Sequence, residues 1–406
     1  MKTTYSKFIL IVCLTCSLQL FSQGYQSNFQ GQTQIAMGST GSALPHDASA
    51  FFYNPGSASF LEKSSISVSG TGVFAKVAFQ ETDSKQVEYS NSPVGTPFTA
   101  YFAYKQKEDS KAVYGLGVYT PFGSTISYEN DWIGRYALQS LKLKSIYIQP
   151  SFSYKVTDKI GLGVGIIYAL GEVELQRAIP LNNNSYANLS GKTNGFGFNA
   201  GIYFKASEKW SFAATYKSKI QMNIDEGNAV FVVPSSVASS FPNGKFTSSL
   251  PLPAVTTIGA SFKLNHRLTF ASDINYIEWK AYDSLIFDYE TNTTSLLDTK
   301  SAREYKNTFA FRLGSQYKLN KKLKLRAGIV FGLTPVPDGR VTPETPDNNR
   351  INYSVGFGYS FTEKFKIDAS VLYTTFKRED TNLETLLSGT FKTIAIAPGL
   401  SLTYLF

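Results

Sequence analysis

The order of apolar and polar residues changes with every second position along this chain. From Ile394 onward the even positions read Ile394, Ile396, Pro398, Leu400, Leu402, Tyr404 and Phe406, while the odd ones read Ala395, Ala397, Gly399, Ser401, Thr403 and Leu405. A β-strand sends successive side chains to opposite faces, so the stretch predicts a strand with one apolar face and one small or polar face. The same period recurs upstream. Ile160, Leu162, Val164, Ile166 and Tyr168 oppose Gly161, Gly163 and Gly165; Phe196, Phe198, Ala200, Ile202 and Phe204 oppose Gly195, Gly197, Asn199 and Gly201. Leu323 to Phe331 alternate with Lys324, Arg326 and Gly328, and Phe365 to Tyr373 with Lys366, Asp368 and Ser370. About fourteen such segments follow Ser64.

The links between segments come in two kinds. Those at 155–160, 204–210, 264–268, 319–323 and 361–365 are short and polar, as in hairpins. Those expected at 122–143, 177–192, 227–252, 287–302 and 338–348 are long. Tyr154, Phe204, Tyr317, Tyr359, Phe361 and Tyr404 fall near strand ends, where amphipathic rings favour a membrane interface. Short turns on one side, long loops on the other and an aromatic last residue predict an all-β fold. The expected architecture is a transmembrane antiparallel β-barrel over 64–406, in a bacterial outer membrane.

The beginning of the chain differs. Lys2 and Lys7 precede an apolar stretch from Phe8 to Phe21, so residues 1–22 are expected to be a signal peptide cleaved before Gln23. Residues 23–63 are rich in Gly, Ser and Ala and do not alternate; they are expected to form a hatch, or plug, in the lumen.

Composition adds exclusions. Beyond the first thirty positions no run of eighteen apolar residues could form a membrane-spanning helix, which says nothing about strands. The chain holds 31 Phe and 25 Tyr, material for two aromatic girdles. Cys13 and Cys16 both lie in the leader, so no disulfide or thiol chemistry is expected of the mature protein. Removing Lys2 and Lys7 lowers the formal charge from +9 to +7 without leaving a basic block. That balance suits anionic outer-membrane lipid and lipopolysaccharide as partners rather than nucleic acid. The two histidines, His46 and His266, have neither metal-ligand spacing nor a nucleophile elbow nearby. No catalytic residue, metal or cofactor is expected.

A series of motifs runs in order along the chain. Ala36-Met37-Gly38, Asp47-Ala48 and Asn54-Pro55-Gly56 come first, then Thr120-Pro121-Phe122-Gly123 and Asp131-Trp132-Ile133-Gly134-Arg135-Tyr136. Leu252-Pro253-Ala254, Trp279-Lys280-Ala281-Tyr282 and Thr334-Pro335-Val336-Pro337-Asp338 follow, and Thr342-Pro343-Glu344-Thr345-Pro346-Asp347 precedes Arg350. The ordered set resembles the FadL/TodX family of outer-membrane channels for long-chain fatty acids and aromatic hydrocarbons, from about Gly31 to Phe406. One departure is Gly56, where the family usually carries alanine; a glycine there is expected to loosen the backbone.

The resemblance implies a fourteen-stranded monomer with an N-terminal hatch and a kinked third strand that opens a gap in the wall. It further implies passive passage of a hydrophobic molecule, a fatty acid or an aromatic hydrocarbon, from the outside to an interior pocket and sideways into the membrane. The third strand is expected over Ala112 to Pro121, with Gly115 and Gly117 as kink positions, or as room for the hatch. Arg135, Arg312 and Arg326 are candidate partners for a carboxylate, although Asp273, Asp368 or the hatch could claim the last two. Phe122, Trp132, Ile133 and Leu138 are candidates for an apolar groove, and Asn54, Pro55 and Gly56 for fastening the hatch. Two other readings stay open: a diffusion porin or structural barrel for polar solutes, and an outer-membrane lipase.

Overall fold

The computed structural model describes Gln26 and residues 29–406; the expected signal peptide lies outside the described residues. Fourteen antiparallel spanning strands close a barrel among the described residues. Several are broken into two segments. The first spanning strand is Ser65–Thr71 (β1) with Phe74–Glu81 (β2), and the second is Val87–Tyr89 (β3) with Phe98–Tyr104 (β4). The third is Ala112–Tyr119 (β5) with Gly123–Ser127 (β6). Three long strands follow unbroken: Ser140–Lys155 (β7), Ile160–Ala178 (β8) and Tyr186–Lys205 (β9). The seventh to tenth are again double: Trp210–Lys217 (β10) with Ile220–Val232 (β11), Gly244–Leu252 (β12) with Val255–Lys263 (β13), Leu268–Ile277 (β14) with Ser284–Tyr289 (β15), and Thr299–Ala302 (β16) with Thr308–Lys318 (β17). Leu323–Gly332 (β18), Arg350–Ser360 (β19), Phe365–Thr381 (β20) and Ser388–Leu405 (β21) complete the wall. Closure comes from β21, which pairs with β1 in the register Ser65↔Leu405 to Thr71↔Gly399. Closure pairs the first and last strands, so apart from one interruption between β4 and β6 the strands satisfy one another's backbone inside lipid.

In the lower part of the wall the alternation holds. Leu162, Val164 and Ile166 face outward from β8, and Phe196, Phe198 and Ile202 from β9, all exposed on the isolated chain and apolar enough to meet lipid. Ring pairs lie toward the two ends of this belt, with Trp210 stacked on Phe262 at 4.4 Å near the short turns and Tyr168 tilted against Phe196 at 4.9 Å higher up.

Above the belt the polarity inverts. In β8 the outward positions become Glu172, Glu174 and Gln176, and the inward ones Val173 and Leu175. Leu141 and Leu143 of β7, Met222 and Ile224 of β11, and Leu250 and Leu252 of β12 also turn inward. Outside, the register stitches opposite charges together, with Lys144 beside Glu172 and Glu172 beside Lys192. Lys142 meets Glu174 at 3.9 Å. The strands therefore run on past the expected loop starts. The connection expected at 177–192 shrinks to the stretch between Ala178 and Tyr186, and that at 227–252 to the stretch between Val232 and Gly244. The inverted period, polar outside and apolar inside, is what hid these strand ends in the sequence.

The segment Gln30–Lys63 bonds to inward-facing side chains around the whole circle. Gln32 Nε2 donates to Thr71 Oγ1 at 2.9 Å and Gln32 Oε1 accepts from Ser370 Oγ at 2.5 Å. The Gly41 amide donates to Asp273 Oδ2 at 2.9 Å, and Ser42 Oγ to Asp273 Oδ1 at 2.5 Å. Gln149 Nε2 of β7 donates to the Phe51 carbonyl at 3.0 Å, and the Gly38 amide donates to Ser354 Oγ of β19 at 3.1 Å. Short helical turns form here, Gln32–Ile35 (α1) and Ala50–Tyr53 (α2), followed by a 3-10 turn over Pro55–Phe60.

Candidate functional site

The lumen above the N-terminal segment divides into three chambers. The inner one, of about 90 Å³, is walled by the inverted strand ends: Leu141, Leu143, Val173, Leu175, Met222, Ile224, Leu250, Leu252 and Phe287, with Phe122 at one side. Its walls suit an apolar chain, for which each buried methylene is worth about 0.8 kcal/mol. An outer chamber of about 270 Å³ lies among the long loops and shares Leu175, Leu285, Phe287 and Glu344 with the inner one. A side chamber of about 250 Å³ lies against the first three and last three spanning strands, and shares Ser124, Glu344 and Thr345 with the inner one.

The side chamber faces an interruption of the wall. The ladder between β4 and β5 ends at Thr99↔Tyr119. Beyond it Thr120 N donates to the Phe98 carbonyl at 3.3 Å, and the next backbone bond between the two strands is Asn91 N to the Ser127 carbonyl at 2.9 Å. Pro93 and Pro97 on one side and Pro121 on the other supply no amide in the stretch between. The N-terminal segment touches this interruption. Gln26 forms a lone bridge with Phe122, and Gln30 Nε2 donates to the Thr120 carbonyl at 3.0 Å. Tyr53 and Tyr101 fix Gln30 in turn, through its carbonyl at 2.7 Å and its Oε1 at 3.0 Å.

The loop Thr342-Pro343-Glu344-Thr345-Pro346-Asp347 stands where the three chambers meet, since Glu344 borders all of them. It is tied down by Arg303 Nη2 to Glu344 Oε1 at 3.0 Å, by Tyr305 Oη with Thr345 Oγ1 at 3.0 Å, and by Tyr128 Oη to the Pro343 carbonyl at 3.3 Å. Burial holds the phenols of Tyr282, Tyr305 and Tyr128 above their usual range, so the rings around the loop stay neutral.

The sequence profile of the family described as outer membrane protein transport protein (OMPP1/FadL/TodX) matches residues 13–406. The chain belongs to this family. Its members include outer-membrane transporters for fatty acids and aromatic hydrocarbons, not enzymes. Among relatives, a long-chain fatty acid transport protein of Salmonella typhi is 21% identical, over 92% of each chain. Among solved structures, a FadL homologue of Pseudomonas aeruginosa superposes with a TM-score of 0.79 at 19% identity, covering 96% of this chain and 100% of its own. The toluene transporter TodX of Pseudomonas putida superposes with a TM-score of 0.74 at 16% identity, covering 95% and 99%. With the barrel, these likenesses place the protein in the outer membrane.

In this FadL/TodX protein the residues singled out from sequence fall into separate places. Phe122 borders the inner chamber, and Leu138 the outer one. Trp132 borders none of these chambers. It stacks on Tyr128 at 4.0 Å, meets Phe79 edge-on at 5.8 Å and donates from Nε1 to the Leu138 carbonyl at 2.6 Å, so it braces its loop. Ile133 points outward, and Arg135 caps its own turn through the Asp131 and Trp132 carbonyls while lying over the Tyr136 ring. Arg326 is buried against Asp368 at 2.6 Å, and Arg312 Nη1 donates to the Ser39 carbonyl at 3.0 Å. Both face the lumen but serve the wall and the N-terminal segment.

Two sequence expectations need correction. Gly115 and Gly117 do not break the third strand, which pairs without a shift from Ala112 to Tyr119; the break falls at Pro121, where the amide is missing. A Cβ at Gly115 would instead collide with the Phe51 ring. Gly56 does not act by loosening the backbone. Asn54 Oδ1 accepts its amide at 2.9 Å, and a Cβ on it would meet the Gly201 carbonyl at 2.5 Å and that of Gly161 at 2.8 Å. Asn54 Nδ2 also donates to the Ile202 and Ser42 carbonyls, and Pro55 lies under Gly163. The inner leucines and Arg303 were not singled out from sequence, and Glu344 only as a member of the Thr342–Asp347 motif, without a role at the chambers. The readable signal for the leucines is the inverted alternation Glu172-Val173-Glu174-Leu175-Gln176.

Proposed function

We propose that the protein passively carries hydrophobic small molecules, foremost long-chain fatty acids, from the cell exterior into the plane of the membrane. The observation that carries this reading is the apolar inner chamber joined through Ser124 to a second chamber at the interrupted wall between β4 and β6. A solute leaving there passes from an apolar lumen to lipid without crossing water. The N-terminal segment serves as the hatch: it fills the lumen below the chambers and holds the interruption through Gln26 and Gln30. Family membership and the name of the Salmonella relative favour fatty acids as cargo. The diffusion-porin alternative is disfavoured by the chamber walls, whose leucines, valine, isoleucine and methionine give a sugar nothing to bond.

The experiment is uptake of labelled oleate by cells lacking other fatty-acid channels. The wild-type chain restores uptake. Ser124→Trp, which fills the passage between inner and side chambers, reduces it about tenfold or more while the purified variant still binds the cargo. Unchanged uptake by this variant, or flux of small sugars through the wild type, overturns the reading.

A further inference from the structure

At the opposite end of the lumen from the three chambers, a cavity of about 1040 Å³ lies between the N-terminal segment and the short turns. In outer-membrane barrels such turns face the periplasm. Eight lysines border the cavity and no arginine does; Lys263, Lys318, Lys324 and Lys366 come from β13, β17, β18 and β20. The acids at its border are Asp47, Glu62 and Glu363. Asp47 is engaged by Ser49, whose amide donates to Oδ1 at 2.8 Å and whose hydroxyl does so at 2.5 Å. Of the eight lysines only Lys205 forms an ion pair among the described residues, with Glu208 at 2.6 Å. Lys318 stands directly opposite Lys324 in the ladder, an arrangement that costs a sheet stability. His46 borders the same cavity, and its buried Nε2 has no hydrogen-bond partner among the described residues. Burial, and behind it the charges of Arg326, Lys324, Lys366 and Lys263, hold that imidazole below its usual range.

The wider charge map agrees. Residues 62–63 and the short turns at 105–111, 155–159, 205–209, 263–267, 318–324 and 363–366 hold sixteen Lys and Arg against six Asp and Glu. The rest of 23–406 holds twenty-one against twenty-four. The positive excess of this stretch is thus gathered at one end of the barrel. A cleft lined by one sign of charge and walled by protein focuses its field on an approaching ion of the opposite sign.

We propose that this basic vestibule docks an acidic peptide segment of a periplasmic protein. Headgroups of the surrounding bilayer do not supply the anion, because these lysines border a cavity inside the bore. The cavity has no arginine to grip a phosphate with two parallel bonds. Lysines on flexible stems suit carboxylates spread along a chain. Leu44, Pro45, Phe60 and Phe361 between them give its apolar side chains a place to lie. The docking is independent of what the chambers above carry.

The test is binding of fluorescein-labelled deca-glutamate to the full-length protein in zwitterionic detergent, read by anisotropy at near-physiological salt. One variant carries Lys263→Gln, Lys318→Gln, Lys324→Gln and Lys366→Gln in the bore. The other carries Lys111→Gln, Lys159→Gln, Lys209→Gln and Lys364→Gln on the exposed turns, an equal change of charge. The wild type binds the peptide, the bore variant weakens binding about tenfold or more, and the turn variant stays within about twofold. Heat-dependent gel mobility checks that each variant is folded. Should the fourfold bore variant not assemble, Lys318→Gln with Lys366→Gln replaces it, with a loss of about threefold expected. No binding by the wild type, equal weakening in the bore and turn variants, or displacement of the peptide by micromolar pyrophosphate overturns the inference. The last of these would mark a phosphate site instead.

Discussion

The side chains that secure the N-terminal segment are set tightly enough for single atoms to matter. Gly56 lies on the carbonyls of Gly161 and Gly201, backbone atoms of β8 and β9 that cannot swing away. Gly56→Val should lift the segment from the wall and admit ions, seen as a rise in single-channel conductance in planar bilayers. Gly70, whose added Cβ meets nothing within 4 Å, is the control, and Gly70→Ala should leave conductance unchanged. Arg326 and Asp368 form a buried pair at 2.6 Å, with Gln316 Oε1 accepting from Arg326 Nε at 2.9 Å. Arg326→Met leaves the carboxylate buried alone and should cost about 3–5 kcal/mol in the denaturant midpoint of the refolded barrel. The double variant Arg326→Met/Asp368→Leu should recover much of that loss. Sequence placed Arg326 and Arg312 on the wet faces of their strands, which is correct, but could not show which acid or carbonyl each would meet. Those partners sit 42 and 273 residues away along the chain, distances that only closure of the barrel removes.

At the scale of the strand, the same residue type has opposite meanings above and below Gly171. Val164 faces outward within the belt and Val173 inward above it. Val164→Lys puts a charge in lipid and should cost about 2–4 kcal/mol of folding free energy, measured in bilayers. Val173→Asp should leave folding unchanged but weaken binding of an acyl probe about tenfold or more, since it places a carboxylate in the apolar chamber. The period-2 signal was legible wherever the outer face meets lipid, and it placed the barrel and its short turns. It failed at the upper ends of β8, β9, β11 and β12, because an apolar lumen beside a charged exterior reverses the expected assignment of faces. For the third strand the sequence left two readings of its glycines open, a kink or room for the N-terminal segment, and could not choose between them. Glycines and prolines both disturb strands, but here Gly115 has to admit Phe51, while Pro121 removes a ladder amide. Pro121→Ala, with that amide restored, should reduce oleate uptake if it lets β5 and β6 join and close the interruption, and an unchanged rate would show that Pro93 and Pro97 suffice to keep the strands apart.

For the molecule as a whole, the relation between the N-terminal segment and the barrel is what a deletion can probe. Deleting residues 23–63 removes hydrogen bonds to at least six spanning strands but touches no strand-to-strand bond. The truncated barrel should still assemble, with heat-dependent gel mobility like the full chain, yet pass sugars that the full chain excludes. The upper wall has a consequence of its own. From Gly171 to Ala178 β8 runs on for roughly 23 Å of strand beyond the lipid belt, at about 3.3 Å per residue. The apolar interior thus begins well outside the lipid belt, and on the route proposed above a hydrophobic solute sheds its water there, once. From then on it meets surroundings of nearly constant polarity, so no position inside is a deep trap and none is a steep hill. Such a conduit has no preferred direction of its own: net flow follows whichever end is kept empty, and it would drain the cell as readily as feed it if the inner supply ever exceeded the outer.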